Sequence, residues 1–192
     1  MLKKFVLGGM TALVLAACGG EGGSASSSTP AQSANASGSL IERINNKGTI
    51  TVGTEGTYAP FTYHDKDGKL TGYDVEVTRA VADKLGVKVE FKETQWDSMM
   101  AGLKAGRFDV VANQVGLTSP ERQATFDKSE PYSWSGAVLV ARNDSNIKSI
   151  DDIKGVKTAQ SLTSNYGEKA KAAGAELVAV DGLAQSLTLI EQ

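Results

Sequence analysis

The segment "QVGLTSPER", residues 114–122, gathers groups that suit a small anion. Ser119 can cap a helix, and Pro120 fits its first position because the missing proline N–H is not needed there. Such a helix start offers free N–H groups and roughly half a positive charge. Arg122, one turn in, adds a guanidinium whose fork matches a carboxylate. The pattern reads as a carboxylate clamp, with an ordinary solvated helix arginine as the competing reading. Upstream, "TEGTYAPF", residues 54–61, carries Tyr58 and Phe61 on a segment that Pro60 stiffens. Those rings could wall a ligand or simply pack their loop. Thr163, Ser164 and Asn165 stand where a later helix begins, a second source of N–H donors.

Other chemistry is poorly supplied. One histidine and one cysteine are too few soft ligands for a zinc or copper centre. His64 sits beside the turn signal "DKDG" and reads as a solvated loop residue. No carboxylate pair is spaced for acid–base work. The 20 basic and 22 acidic residues are interspersed, giving a net charge of −2 and no basic stripe for nucleic acid. Neither a metal nor any other cofactor is expected.

The lone Cys18 falls where an apolar run gives way to glycine and serine, so it is a filler, a reactive thiol or a point of attachment. Residues 1–4 are short and basic, and 5–17 are apolar but too short for a bilayer core that needs about 20 residues. This is the pattern of a secretory signal. Ala16 and Ala17 before the thiol resemble the bacterial lipobox, which implies acylation of Cys18, cleavage before it and a lipid-anchored protein on the periplasmic or outer face of a membrane. Residues 18–39 hold almost no large apolar side chain and read as a disordered tether.

Positioning the candidate residues falls to an alternation of elements. Residues 49–53 predict a strand, and 73–86 a helix with Asp74 as cap and Gly86 as stop. Val87, Val89 and Phe91 alternate as a strand does. Trp96, Met99, Met100 and Leu103 form a helical apolar stripe in which Trp96 belongs partly to the core and Met99 and Met100 read as core or helix surface, and 108–113 read as a buried strand. Such a β-α-β-α-β order calls for a parallel sheet with right-handed crossovers, whose ligands bind beyond the carboxyl ends of the strands. Beyond it, 133–137 is a hinge candidate, 136–142 a strand, 149–155 a short capped helix, 156–160 a strand, 176–180 another, and 183–192 an amphipathic helix.

Taken together, "VGTEGTYAPF", "GKLTGYDVEV", "GRFDVVANQVGLTSPER" and "FDKSEPY" resemble the polar amino acid binding proteins of bacterial ABC importers, and "ANQV" at 112–115 looks most like the cystine-binding branch. The resemblance implies a type II periplasmic binding protein: two α/β lobes with parallel sheets joined by a hinge, here 40–136 and 137–192. It implies Tyr58, Phe61 and Trp96 as walls, Arg122 as carboxylate anchor, and Thr118, Thr163 and Ser164 as further contacts. Gly116 stands where relatives often carry a hydroxyl, leaving only backbone to touch a ligand, and the spacing from Thr118 to Arg122 is one residue longer than usual. Also implied are a monomer, delivery to an ABC permease and no catalysis. A cyclohexadienyl dehydratase-like enzyme and an adhesive or sensing lipoprotein are the alternatives. Family chains continue past this point, through a strand with the acidic contact for the α-amino group and a return to the first lobe. The sequence therefore reads as a truncated form with an incomplete second lobe, expected to be weak in binding or stability.

Overall fold

Ser39, at the edge of the expected tether, is already structural. It caps α1 (Leu40–Lys47): the Glu42 N–H donates to its hydroxyl at 3.3 Å, and its own N–H donates to the Glu42 carboxylate at 2.6 Å. That reciprocal box ends in Gly48 at φ 68°, a left-handed position glycine adopts without strain. The structure, a computed structural model, describes residues 38–192; the signal segment, Cys18 and nearly all of the tether lie outside them.

Strand β1 (Thr49–Thr54) is rich in β-branched residues and buried from Ile50 onward. Between it and the next helix come β2 (Thr57–Tyr58), β3 (Thr62–His64) and β4 (Leu70–Thr71), a small antiparallel sheet in order β2-β3-β4. The sequence reading treats 54–61 as plain loop, since strands this short carry no readable alternation. Helix α2 (Tyr73–Leu85) then leads into β5 (Lys88–Glu93), and α3 (Trp96–Lys104) into β6 (Val110–Val111). Strands β5 and β6 flank β1, both parallel to it, as the alternation predicts. Ile44, Ile50, Val52 and Ala82 form the core, with Val89, Phe91 and Val110 packed on it.

Two expectations about this sheet need correction. The cap of α2 is Gly72, which makes no side-chain cap bond, and Asp74 lies inside the helix with its carboxylate turned elsewhere. The strand expected over 108–113 shrinks to two residues because its ends are claimed by other contacts. Phe108 is drawn against the backbone of Gly53, where an added Cβ would sit 2.7 Å from the ring. Asp109 accepts from the Thr51 N–H at 2.8 Å, and Asn113 turns toward β1.

Helix α4 (Pro120–Thr125) starts as expected, with the Ser119 hydroxyl accepting from the Arg122 N–H. Residues 136–142, expected as a strand, form none. No described strand lies alongside to complete a ladder, and Trp134 and Val138 are 84% and 85% exposed. After a 3₁₀ turn at Ile150–Ile153, capped by Ser149 as predicted, β7 (Lys157–Gln160), α5 (Asn165–Ala172) and β8 (Glu176–Ala179) make a second parallel β-α-β unit. Helix α6 (Leu183–Glu191) follows. The buried apolar residues of this unit are Ile153, Ala170 and Val180.

Candidate functional site

Arg122 is fixed from both ends. The α4 cap holds its backbone, and its Nη1 donates to the Gly116 carbonyl at 3.0 Å while Nη2 donates to the Thr163 carbonyl at 2.8 Å. Its guanidinium lies 5.5 Å from the centroid of the Trp96 ring, within cation–π range. Trp96 opens α3 and is half-buried, with its Nε1–H enclosed and without a partner in the structure. Tyr58 and Phe61, on either side of the β2–β3 turn, meet at a centroid distance of 5.1 Å.

Tyr58, Phe61, Trp96 and Ser164 line one cavity of about 1270 Å³, together with Glu55, Asn113 and Gln114. Arg122 is not on the cavity wall, and neither are Gly116, Thr118 and Thr163. Thr118 is exposed. Thr163 and Ser164 lie at the start of α5 as expected, where the Ser164 hydroxyl accepts from the Tyr166 N–H. The Thr163 N–H donates to Asp97 of α3 at 2.8 Å. His64 belongs to β3, not to a loop, and faces the Gly56 carbonyl and Glu93, each at 3.2 Å.

Four side chains that the sequence reading did not assign to the site shape it. Glu55 is the acidic residue among those on the cavity wall. Asn113 holds it by a reciprocal pair, the Glu55 N–H donating to Oδ1 at 2.8 Å and Nδ2 donating to the Glu55 carboxylate at 2.6 Å. Burial pushes the Glu55 carboxyl above its ordinary value, against the lowering pull of Asn113 and the Trp96 backbone N–H, and the charge of Asp97 pushes the same way as burial. Asp74, fully buried, accepts from both the backbone N–H and the side-chain amide of Gln114, each at 2.6 Å. Gln114 adopts φ 52°, a left-handed conformation these two bonds sustain, and its Oε1 accepts from Ser133 at 3.1 Å. "TEG" beside a strand end and "ANQ" at another carried that signal: polar residues at the carboxyl ends of parallel strands.

Glu55 follows the carboxyl end of β1, Asn113 and Gln114 follow that of β6, and all three line the cavity, in the crevice where open parallel sheets take their ligands. Residues 50–185 match the bacterial extracellular solute-binding proteins, family 3, and the chain belongs to that family. It is 62% identical over 156 residues to a probable amino-acid ABC transporter-binding protein of Haemophilus influenzae, covering 81% of this chain and 60% of that one. The L-cystine-binding protein TcyA of Bacillus subtilis is 60% identical over 157 residues, with 81% and 58% covered. The crystal structure of the L-cystine solute receptor of Neisseria gonorrhoeae, in the unliganded open conformation, is 96% identical in sequence, covers 81% of this chain and 65% of its own, and superposes with a TM-score of 0.50. The chain thus spans roughly three-fifths of the length of these curated relatives.

Proposed function

We propose that this chain is the ligand-capturing portion of an extracytoplasmic binding protein that takes cystine and delivers it to an ABC permease. The observation that carries the reading is Arg122, stacked on Trp96, which lines a cavity together with Tyr58, Phe61 and Glu55. Cystine is two amino acid ends joined by a disulfide, so it asks for a cation at a carboxylate, an anion at an ammonium and polarisable rings along its middle. Arg122 supplies the first, Glu55 the second and the three aromatics the third. Thr118, Thr163 and Ser164 add hydroxyl or N–H donors, and Gly116 contributes backbone alone. The names of the relatives favour cystine over other polar amino acids.

In this reading, 40–136 and 137–192 belong to two lobes that close about 133–137, binding favouring the closed form and excluding water from the clamp. Export and a lipid on Cys18 would keep the protein, a monomer, at the membrane face where its permease lies. It performs no covalent chemistry on its cargo. Calorimetric titration of the chain with L-cystine, followed by a panel of polar amino acids, tests the assignment. Arg122→Ala should weaken cystine binding at least about tenfold, roughly 1.4 kcal/mol. An unchanged affinity would remove the clamp.

A further inference from the structure

We infer that Asp97 is an internal substitute for the ligand's carboxylate, holding the loop before α5 in the unliganded chain and giving it up when ligand arrives. Asp97 lies in the first turn of α3, yet its carboxylate accepts from the Thr163 N–H at 2.8 Å, the Thr163 hydroxyl at 2.9 Å and the Leu162 N–H at 3.2 Å. Arg122 takes the other end of the same residue by donating to the Thr163 carbonyl at 2.8 Å. Thr163 is therefore gripped at both backbone groups, its N–H by Asp97 of α3 and its carbonyl by Arg122 of α4. Among the described residues no ion pair involves Asp97. Its charge is met by N–H and O–H donors alone, all three from the two residues just before the Ser164 cap of α5.

Competition follows from stoichiometry. The Thr163 N–H has one hydrogen, and two carboxylates crowded on it would repel. This rests on the reading that Arg122 and Thr163 receive the ligand's carboxylate: if they do, cystine can seat only after Asp97 lets go. The three contacts are exposed to water, so release is easy and the clip is a threshold rather than a lock. Apparent affinity is then lowered by the fraction of chains in which the clip is shut. A weakly binding carboxylate is turned away while cystine, with its rings and second charged end, displaces Asp97.

The test compares the 192-residue chain with Asp97→Ala and Asp97→Asn. Amide hydrogen exchange in the absence of ligand reads the clip itself: at Leu162 and Thr163 it should quicken in the alanine variant and less so in the asparagine variant, which keeps one acceptor. Titration with L-cystine reads the competition, and Asp97→Ala should bind about three- to tenfold more tightly. Unchanged exchange at both amides would show that no clip exists. Quickened exchange with equal or weaker cystine binding would show that Asp97 supports closure instead of competing. Arg122→Ala run alongside separates the two readings, since its failure to weaken binding overturns the carboxylate clamp and leaves the exchange result for Asp97 standing.

Discussion

Asp74 shows how far a single side chain is governed by what surrounds it. An aspartate two residues into a helix would ordinarily sit in water and favour the N-terminal dipole. Here it is fully buried and has become the anchor for Gln114, with Ser133 hung on Gln114 in turn. Burial raises its carboxyl above the ordinary 3.8, outweighing the bonds from Gln114 and Tyr132 that lower it. A raised folded-state value means the native chain holds that proton more tightly than the unfolded one. The associated stability is complete below about 3.8 and is lost as pH rises through the folded value. Urea midpoints of the native chain and of Asp74→Asn, compared from acid to neutral pH, should therefore diverge, the native chain losing ground as pH rises. A difference that stays flat across that range would mean Asp74 titrates as a solvated group. Tyr132, pushed upward first by burial and then by the charge of Asp74, stays protonated throughout and keeps its hydroxyl as a donor.

At the scale of elements, the first sheet depends on close approach between strand and ring. Gly53 in β1 and Gly102 in α3 both face Phe108, whose ring would lie 2.7 Å from a Cβ at either position. Gly53→Ala should cost about 1–3 kcal/mol by overpacking, seen as a lower urea midpoint with an unchanged slope. An unaffected midpoint would mean the ring can move aside. Much of this layer was legible in sequence: the parallel order, both long helices, the Gly86 stop, the Ser119 cap and the helix start at Ser164 all announce themselves through period and capping chemistry. What escaped lacks such a signal. The β2-β3-β4 sheet is built from strands too short for alternation, and α1 is flagged only by the Ser39 and Glu42 box at the edge of a Gly/Ser-rich run. Residues 136–142 have strand composition, but composition cannot supply the neighbour a strand needs. Residue type alone singles out the aromatic residues and Arg122 as candidates, whereas the contacts of Asp97, Glu55 and Asp74 are with partners distant in sequence.

Across the whole molecule, burial is uneven between the two parallel sheets. The β5-β1-β6 sheet is covered by α1, α2 and α3 and buries Ile44, Ile50, Val52, Val75, Ala82, Met99 and Phe108. The β7-β8 pair has one partner strand each and a core of Ile153, Ala170 and Val180, while Leu162, Leu177, Leu183 and Leu187 remain exposed. Since local opening costs least where few apolar contacts are lost, the two regions should differ in exchange protection. Backbone amides of β1 and β5 should be the slowest in the chain, with those of β7 and β8 exchanging measurably faster under native conditions. On the function proposed, addition of L-cystine should then slow the second group more than the first, because ligand bridging the proposed clamp and the α5 loop would stabilise the less stable region by mass action. Equal protection in both sheets without ligand would mean they unfold as one cooperative unit. In that case, the closure proposed about 133–137 would have to be a rigid rotation with no contribution from local loosening of the second sheet.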